Sequence, residues 1–385
     1  MRSALTWVTL LLLSIWILTS CVNPIETLTK PDEEFRIGLI APLTGPSQLS
    51  GKGLRRGAEL AVAEVNAEGG LLVGDVRIPI VLRIEDNQSK PELSVEAAQR
   101  LVDQGIVAVV GPATSANAIP TAELLEKERT LMIAPVSSNP ETTRNKRYIF
   151  RIIATDDVQA EVLAEFALKE LKTTRAAVLY TQDDVYSAFL ADVFASAYKE
   201  LGGVIVASEP FAAEASDFMP QLARIKAQEP DLLLLPNQAH SIPATVHQAR
   251  NVGLDIPILG ADAWTSIPAE ELDSDFDNTY FTSAWSPTIQ SARAQAFVAA
   301  FQQTYHAQPT AVEALTYDAF HLLFAAAQQQ ESFTTRALLK GISVMESFEG
   351  VSGKATYLGQ GNPIRDMTVL AIRNGEHHFV KVVEP

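Results

Sequence analysis

From residue 35 onward, short apolar runs alternate with amphipathic stretches. The runs fall at 36–41, 78–84, 106–110, 131–134, 176–180, 204–207, 232–235 and 256–259. Most of their residues are β-branched or Leu, and Gly, Pro or Asp bounds them. That is the pattern of a parallel strand covered on both faces. Between the runs, Leu54, Ala58, Ala61, Val62 and Val65 recur at helical spacing, and Gly69-Gly70 ends that helix. Stretches 157–171 and 192–201 repeat the pattern. Strand, helix and strand in this alternation predict a doubly wound α/β architecture with right-handed crossovers. Eight or more strands are many for one open sheet among so many helices, so two α/β lobes are expected. The chain's end breaks the rhythm: 369–383 predicts two strands around Asn374-Gly375, a hairpin signal.

The start of the chain carries a different pattern. Arg2 precedes an uncharged apolar run at 4–18, shorter than the roughly 20 residues a transmembrane helix needs. With small residues following, 1–20 reads as a secretory signal peptide. Leu18-Thr19-Ser20-Cys21 ends on the chain's one cysteine and resembles the lipobox of bacterial lipoproteins, in which that cysteine becomes the lipid-bearing N-terminus. An ordinary signal peptide with an incidental cysteine is the alternative. The thirteen residues 22–34 hold two prolines and four acidic groups without periodicity. They read as a tether that reaches at most about 45 Å. No later segment is apolar enough to span a bilayer, so lipid on Cys21 is the expected anchor and the location extracytoplasmic. Several acyl chains hold a protein firmly where one holds it marginally.

The formal charge of −16 argues against nucleic acid, which demands clustered Lys and Arg, and against a basic membrane-surface patch. With Cys21 modified no disulfide is possible, and stability must come from packing. Enzyme signals fail one by one. Gly51-x-Gly53-x-x-x-Gly57 is one residue too long for a dinucleotide fingerprint and lies well beyond the strand end. No G-x-S-x-G or H-E-x-x-H occurs. Of six histidines, His377 and His378 would point to opposite sheet faces. His240 and His247 have no nearby Cys, Glu or third His. Neither a catalytic site, a metal site nor a cofactor is expected.

Several segments together resemble a known family. IGLIAPLTGP (37–46), GAELAVAEVNAEGG (57–70), VVGPATSANAIPTAELLEKERTLMIAPVSSNPETT (109–143) and DDVYSAFLAD (183–192) are similar to the branched-chain amino-acid-binding proteins of ABC transporters. QARNVGL (248–254), ILGADAW (258–264), ALTYDAF (314–320) and GVSGKATYLGQGNP (350–363) continue the match in order. The resemblance implies a type I periplasmic binding protein: two Rossmann-like lobes, a ligand cleft between them and three hinge crossovers. It places the crossovers near 154–155, 284–287 and 347–353. The N-terminal lobe would be 35–154 plus 287–347, and the C-terminal lobe 155–286 plus 348–385. The implied partners are a small-molecule ligand and an ABC permease, the protein acting as a monomer.

An α-amino acid in a closed cleft needs matched partners for both of its charges. Strand-to-helix turns suit a carboxylate, because hydroxyls, N–H groups and the helix dipole converge there. Two such turns follow the runs at 106–110 and 131–134. The family resemblance implies a carboxylate role for Ser115 and Ser138 and a carbonyl facing the ammonium at Val136; for Ser115 alone, a helix N-cap is the other reading. It likewise implies Asp262 as the ammonium's counter-charge. Tyr186 matches a usual aromatic wall, with an alignment ambiguous by one residue. Ser50 and Gln238 stand where the family often has aromatics, and Trp264 is the candidate to replace the lost wall. Unpaired against an apolar side chain, Ser50 and Gln238 would cost roughly 1–3 kcal/mol each, which favours a polar amino acid or small amide. A ligand-sensing lipoprotein that reports to a membrane partner is the alternative function.

Overall fold

A computed structural model describes residues 34–384. The expected signal peptide, Cys21 and the tether up to residue 33 lie outside the described residues. Strand β1 (Phe35–Ala41) leads into helix α1 (Gln48–Ala67), the small hairpin β2 (Leu71–Val73) and β3 (Val76–Ile78), and β4 (Ile80–Asp86). Then come α2 (Pro91–Asp103), β5 (Ala108–Val110), α3 (Ser115–Lys127), β6 (Leu131–Ala134) and β7 (Ile149–Arg151). A second set follows: α4 (Asp156–Lys169), β8 (Arg175–Thr181), α5 (Val185–Glu200), β9 (Val204–Phe211) and α6 (Met219–Lys226). It continues through β10 (Leu232–Leu234), α7 (Ile242–Asn251), β11 (Ile258–Gly260) and β12 (Thr279–Ser283). Helices α8 (Ala292–Tyr305), α9 (Ala311–Gln329) and α10 (Thr335–Val344) precede β13 (Phe348–Gly350), β14 (Gly353–Ala355), β15 (Met367–Arg373) and β16 (Glu376–Val383).

Two large sheets organise these elements. The first, ordered β4-β1-β5-β6-β7, is parallel throughout. The second, ordered β16-β15-β12-β11-β10-β8-β9, is parallel from β9 to β12 and antiparallel across β12, β15 and β16. Their inner strands are buried on two faces, as the unbroken apolar runs require, while the edge strands β4, β9 and β16 are mostly half-buried or exposed. In β6, Leu131 and Ile133 pack into one core while Met132 and Ala134 pack into another. In the second sheet, Leu232 and Leu234 face one core and Leu233 the other. Helices α8 to α10 return to the first lobe: Phe297, Phe301 and Phe320 share a core with Phe35 and Ile37. The chain thus passes between the two layers three times, at 152–155, 284–291 and 345–366. Phe348, Val351, Ala355 and Tyr357, expected in the second lobe, pack in the first-lobe core.

Where sequence and structure differ, local chemistry gives the reason. Pro79 splits the run 78–84, so that Ile78 closes the small hairpin and a new strand starts at Ile80. The helix expected from 192 starts at Val185, because the Asp184 side chain accepts the N–H groups of Tyr186 and Ser187. Strand Thr279–Ser283, rich in hydroxyl side chains, shows no apolar run in the sequence, yet it is an interior strand of its sheet. The terminal hairpin turns on Asn374 (φ 51°) and Gly375 (φ 75°), the paired positive angles of a type I′ turn. His377 is half-buried, its ring edge-on to Phe281 with 5.2 Å between centroids.

Candidate ligand-binding site

The cleft is built from loops that leave the C-terminal ends of the parallel strands, where open α/β sheets bind ligands. On the first lobe, β5 ends in Gly111, whose φ is +96° and whose missing Cβ would lie 2.2 Å from the Ile40 carbonyl oxygen. Only glycine fits this turn into α3. Thr114 occupies the N-cap, and its hydroxyl makes no capping bond. Ser115 is therefore the first helical residue, not the cap. Its buried hydroxyl lies 3.0 Å from that of Ser137 and accepts the Asn139 N–H at 3.3 Å. The turn after β6 is fixed from beneath by Arg151, which donates to the carbonyls of Ser137 (2.9 Å) and Asn139 (2.8 Å) and to the Thr143 hydroxyl (3.0 Å). Between those two anchored residues, the buried Ser138 hydroxyl makes no hydrogen bond of ordinary geometry among the described residues, though it lies close enough to the Asp156 carboxylate to draw its pKa down. Hydroxyls and first-turn N–H groups thus meet at the positive end of a helix, a site suited to a carboxylate.

The second lobe supplies the opposite charge. Asp262 begins a short 3-10 helix after β11, and Tyr186 in the first turn of α5 donates to its Oδ1 at 2.8 Å. Behind it lies Asp156 at the start of α4, fully buried, with one carboxylate oxygen unpartnered. Gln159 links the two acids: its amide donates to Asp156 Oδ1 (3.3 Å) and its oxygen accepts the Asp262 N–H (3.3 Å) and the Thr282 hydroxyl (2.9 Å). No Lys or Arg forms an ion pair with either acid among the described residues. Burial pushes the Asp262 carboxyl up to about 6. Burial, then the charge of Asp262, holds Asp156 well above the usual carboxylate range, and the same two causes raise Tyr186.

Ser50, Ser115, Val136, Ser138, Tyr186, Gln238 and Asp262 all line one cavity between the lobes. Thr114, Ile153, Ala284, Ala311, Val312 and Leu315 complete much of its wall. About 50 Å³ of it is open to water-sized groups. The lobes touch across its mouth: the Ser50 and Ser266 hydroxyls are 3.1 Å apart, and the Asn139 amide donates to the Val185 carbonyl at 3.1 Å.

Trp264 does not join them. It is fully buried in the second-lobe core, donates to the Leu235 carbonyl at 3.0 Å and stacks on Phe281. Gly260 makes room for it, since a Cβ there would lie 2.1 Å from the indole. Nor are Ser50 and Gln238 unpaired in the way their types suggest. Ser50 is bonded to Ser266, and the Gln238 amide donates to Asp184 at 3.0 Å, so neither is stranded beside an apolar ligand. Asp156 carries no sequence signal of its own, because Asp156-Asp157 after Thr155 has the form of ordinary acidic residues at a helix start. His247 does not pair with His240; its Nδ1 meets Asp275 at 2.8 Å and Asp273 at 3.9 Å.

Tyr186→Phe tests the second-lobe cluster. It removes one hydrogen bond to a charged group, and is expected to weaken ligand binding by about 1.5–3 kcal/mol. Titration calorimetry against the parent protein checks it.

Comparison with known proteins bears on the family and the fold. The sequence profile for periplasmic binding proteins matches residues 34–376. A Leu/Ile/Val-binding protein, BraC3 of Rhizobium johnstonii, is 32% identical over 257 residues, covering 66% of this chain and 69% of its own length. A Leu/Ile/Val-binding protein homologue of Brucella melitensis is 27% identical across 86% of this chain and 88% of its own. Among solved structures, the branched-chain amino-acid transporter substrate-binding protein LivJ of Streptococcus pneumoniae, in complex with isoleucine, superposes with a TM-score of 0.85 at 27% identity. It covers 92% of this chain and 100% of its own.

Proposed function

Because the chain belongs to the periplasmic binding protein family, we propose that it is an extracytoplasmic lipoprotein of an ABC importer that closes around one small amino acid. The carrying observation is the polarity of the cleft. The first lobe presents hydroxyls and a helix N-terminus, and the second presents Asp262 with Asp156 behind it, both lacking an ion pair within the described residues. A zwitterion satisfies both ends: its carboxylate docks on Ser115 and Ser138, and its ammonium meets Asp262, with the Val136 carbonyl alongside. Because the two ends lie on different lobes, both charges are gripped only on closing, which gives the ligand the differential affinity that a hinge motion requires. The small cavity, whose apolar wall is mostly alanine with Val136, Val312, Ile153 and Leu315, favours a short side chain. Relatives named for Leu, Ile and Val, and a permease that reads the closed lobes, fit the same account. A thermal-shift screen of amino acids and small amides tests it: a ligand at 100 times its Kd adds roughly 2.7 kcal/mol of stability. If only small amides shift the transition, the zwitterion reading fails.

Proton linkage gives a second test. A carboxyl raised to about 6 is protonated below that pH, and an ammonium binds its ionised form. Affinity is therefore expected to fall as pH drops below about 6, approaching tenfold per unit for one proton, and to level off above it. For the ligand-free protein the sign is reversed. The raised carboxyl favours folding below its unfolded value near 3.8, and that contribution is lost as pH rises through about 6. Calorimetry and thermal melts from pH 4.5 to pH 8 measure both trends.

The anchor is tested separately. Cys21→Ser should abolish lipidation and release the protein from membranes, since no other thiol exists in the chain. Retention of the Ser variant on membranes through high-salt washing overturns the lipoprotein reading.

A further inference from the structure

The three connections between the lobes meet at one side chain. Arg365 lies two residues before β15, and its buried guanidinium donates to the carbonyl oxygens of Ile152 (2.7 Å), Ala284 (2.8 Å) and Ser352 (2.7 Å). Each of these carbonyls belongs to a different connection. The third connection is also held from the first lobe. Asp318, buried on α9, accepts the N–H groups of Val351 (2.7 Å) and Ser352 (2.8 Å) and the Ser352 hydroxyl. Ser352 is thus fixed by an anion through its N–H and by a cation through its carbonyl. A buried guanidinium is costly unless its donors are satisfied; here Nη1 and Nη2 make the three bonds while the buried Nε has no partner among the described residues, and an apolar side chain would fill the space at less cost. What an apolar residue lacks is the planar fork of donors, which can hold several strands at once.

We propose that Arg365 is the pivot of lobe closure, a positioning residue that ties the three connections into one node. Three independent linkers would allow the lobes to twist and slide as well as swing. With one carbonyl of each connection bonded to the same guanidinium, their spacing is fixed, and rotation falls to the few residues flanking the node. The open protein then samples a narrower set of interlobe arrangements, and less disorder is lost on closing. This inference concerns the hinge and holds whichever solute the cleft takes.

Spin labels on opposite lobes test it without any ligand. Lys127, at the end of α3, and Lys199, near the end of α5, are both exposed and are replaced by cysteine in a Cys21→Ser background. Pulsed dipolar spectroscopy then gives the interlobe distance distribution of the ligand-free protein. Arg365→Lys keeps the charge but cannot span three carbonyls, and Arg365→Met removes it. Both are expected to broaden the distribution while circular dichroism and cooperative melting persist. A distribution as narrow as the parent's, with only a lowered melting temperature, overturns the pivot and leaves Arg365 a structural residue. Failure of both variants to fold has the same meaning; if Arg365→Met alone fails, Arg365→Lys decides.

Discussion

Asp262→Ala is expected to weaken binding of the screened amino acid by about 3–5 kcal/mol, a few hundred- to a few thousand-fold. The reason is the stranded partner: closure would bury an ammonium whose counter-charge is gone. Ser115→Ala should cost less, about 1.5–3 kcal/mol, because the helix N–H groups stay in place. Stability moves the other way. Burial raises Asp262 to about 6, so at pH 7 the folded protein carries an ionised carboxylate at a disadvantage. The isosteric Asp262→Asn should therefore lose affinity without lowering the melting temperature at pH 7. That combination separates a ligand contact from a structural one. Asp262→Ala binding as tightly as the parent would mean that the ligand has no ammonium at this position, and a neutral amide would take its place.

Arg151→Met should lose on the order of 3–5 kcal/mol of folding stability and much of the ligand affinity together. Arg151 is fully buried, and burial pulls its pKa down to about 10. Methionine fills a similar volume but leaves the Ser137 and Asn139 carbonyls and the Thr143 hydroxyl without their donor. The turn that presents Ser138 then relaxes. Losing the cation also pushes Asp156 further up, since Arg151 is one of the groups holding it down. Chemical denaturation and calorimetry on one preparation measure both losses. An unchanged affinity after correction for the folded fraction would show that the turn holds its shape without Arg151.

Much of this fold is legible in the sequence because its strands are buried on both faces. Runs such as 131–134 can be read directly, since every side chain in them enters a core. Strand Thr279–Ser283 hides because its hydroxyls find partners within the protein, as when Thr282 donates to Gln159 at 2.9 Å. The hydroxyl-lined turn of the cleft is legible for a local reason: strand, Gly-Pro turn, hydroxyl and helix follow one another. The acidic end is legible only in part: the resemblance points to Asp262 and Tyr186, but the pair Asp156 and Gln159 joins them from a third, separate stretch of the second lobe. Trp264 shows the limit of residue type as a guide. A tryptophan two positions from a cleft acid suggests a wall, but its indole N–H reaches the Leu235 carbonyl and its ring enters the core beside Phe281. Ser50 shows the same limit for polarity, because its partner Ser266 is 216 residues away.

The central claim is that one ligand is gripped by its two charges from opposite lobes. Calorimetry of the screened amino acid beside its des-amino acid and its decarboxylated amine tests it most directly. The account predicts that each half-charged analogue binds at least about a hundredfold more weakly than the zwitterion, since each leaves one buried charged end unmatched. A des-amino acid that binds as tightly as the amino acid would contradict it.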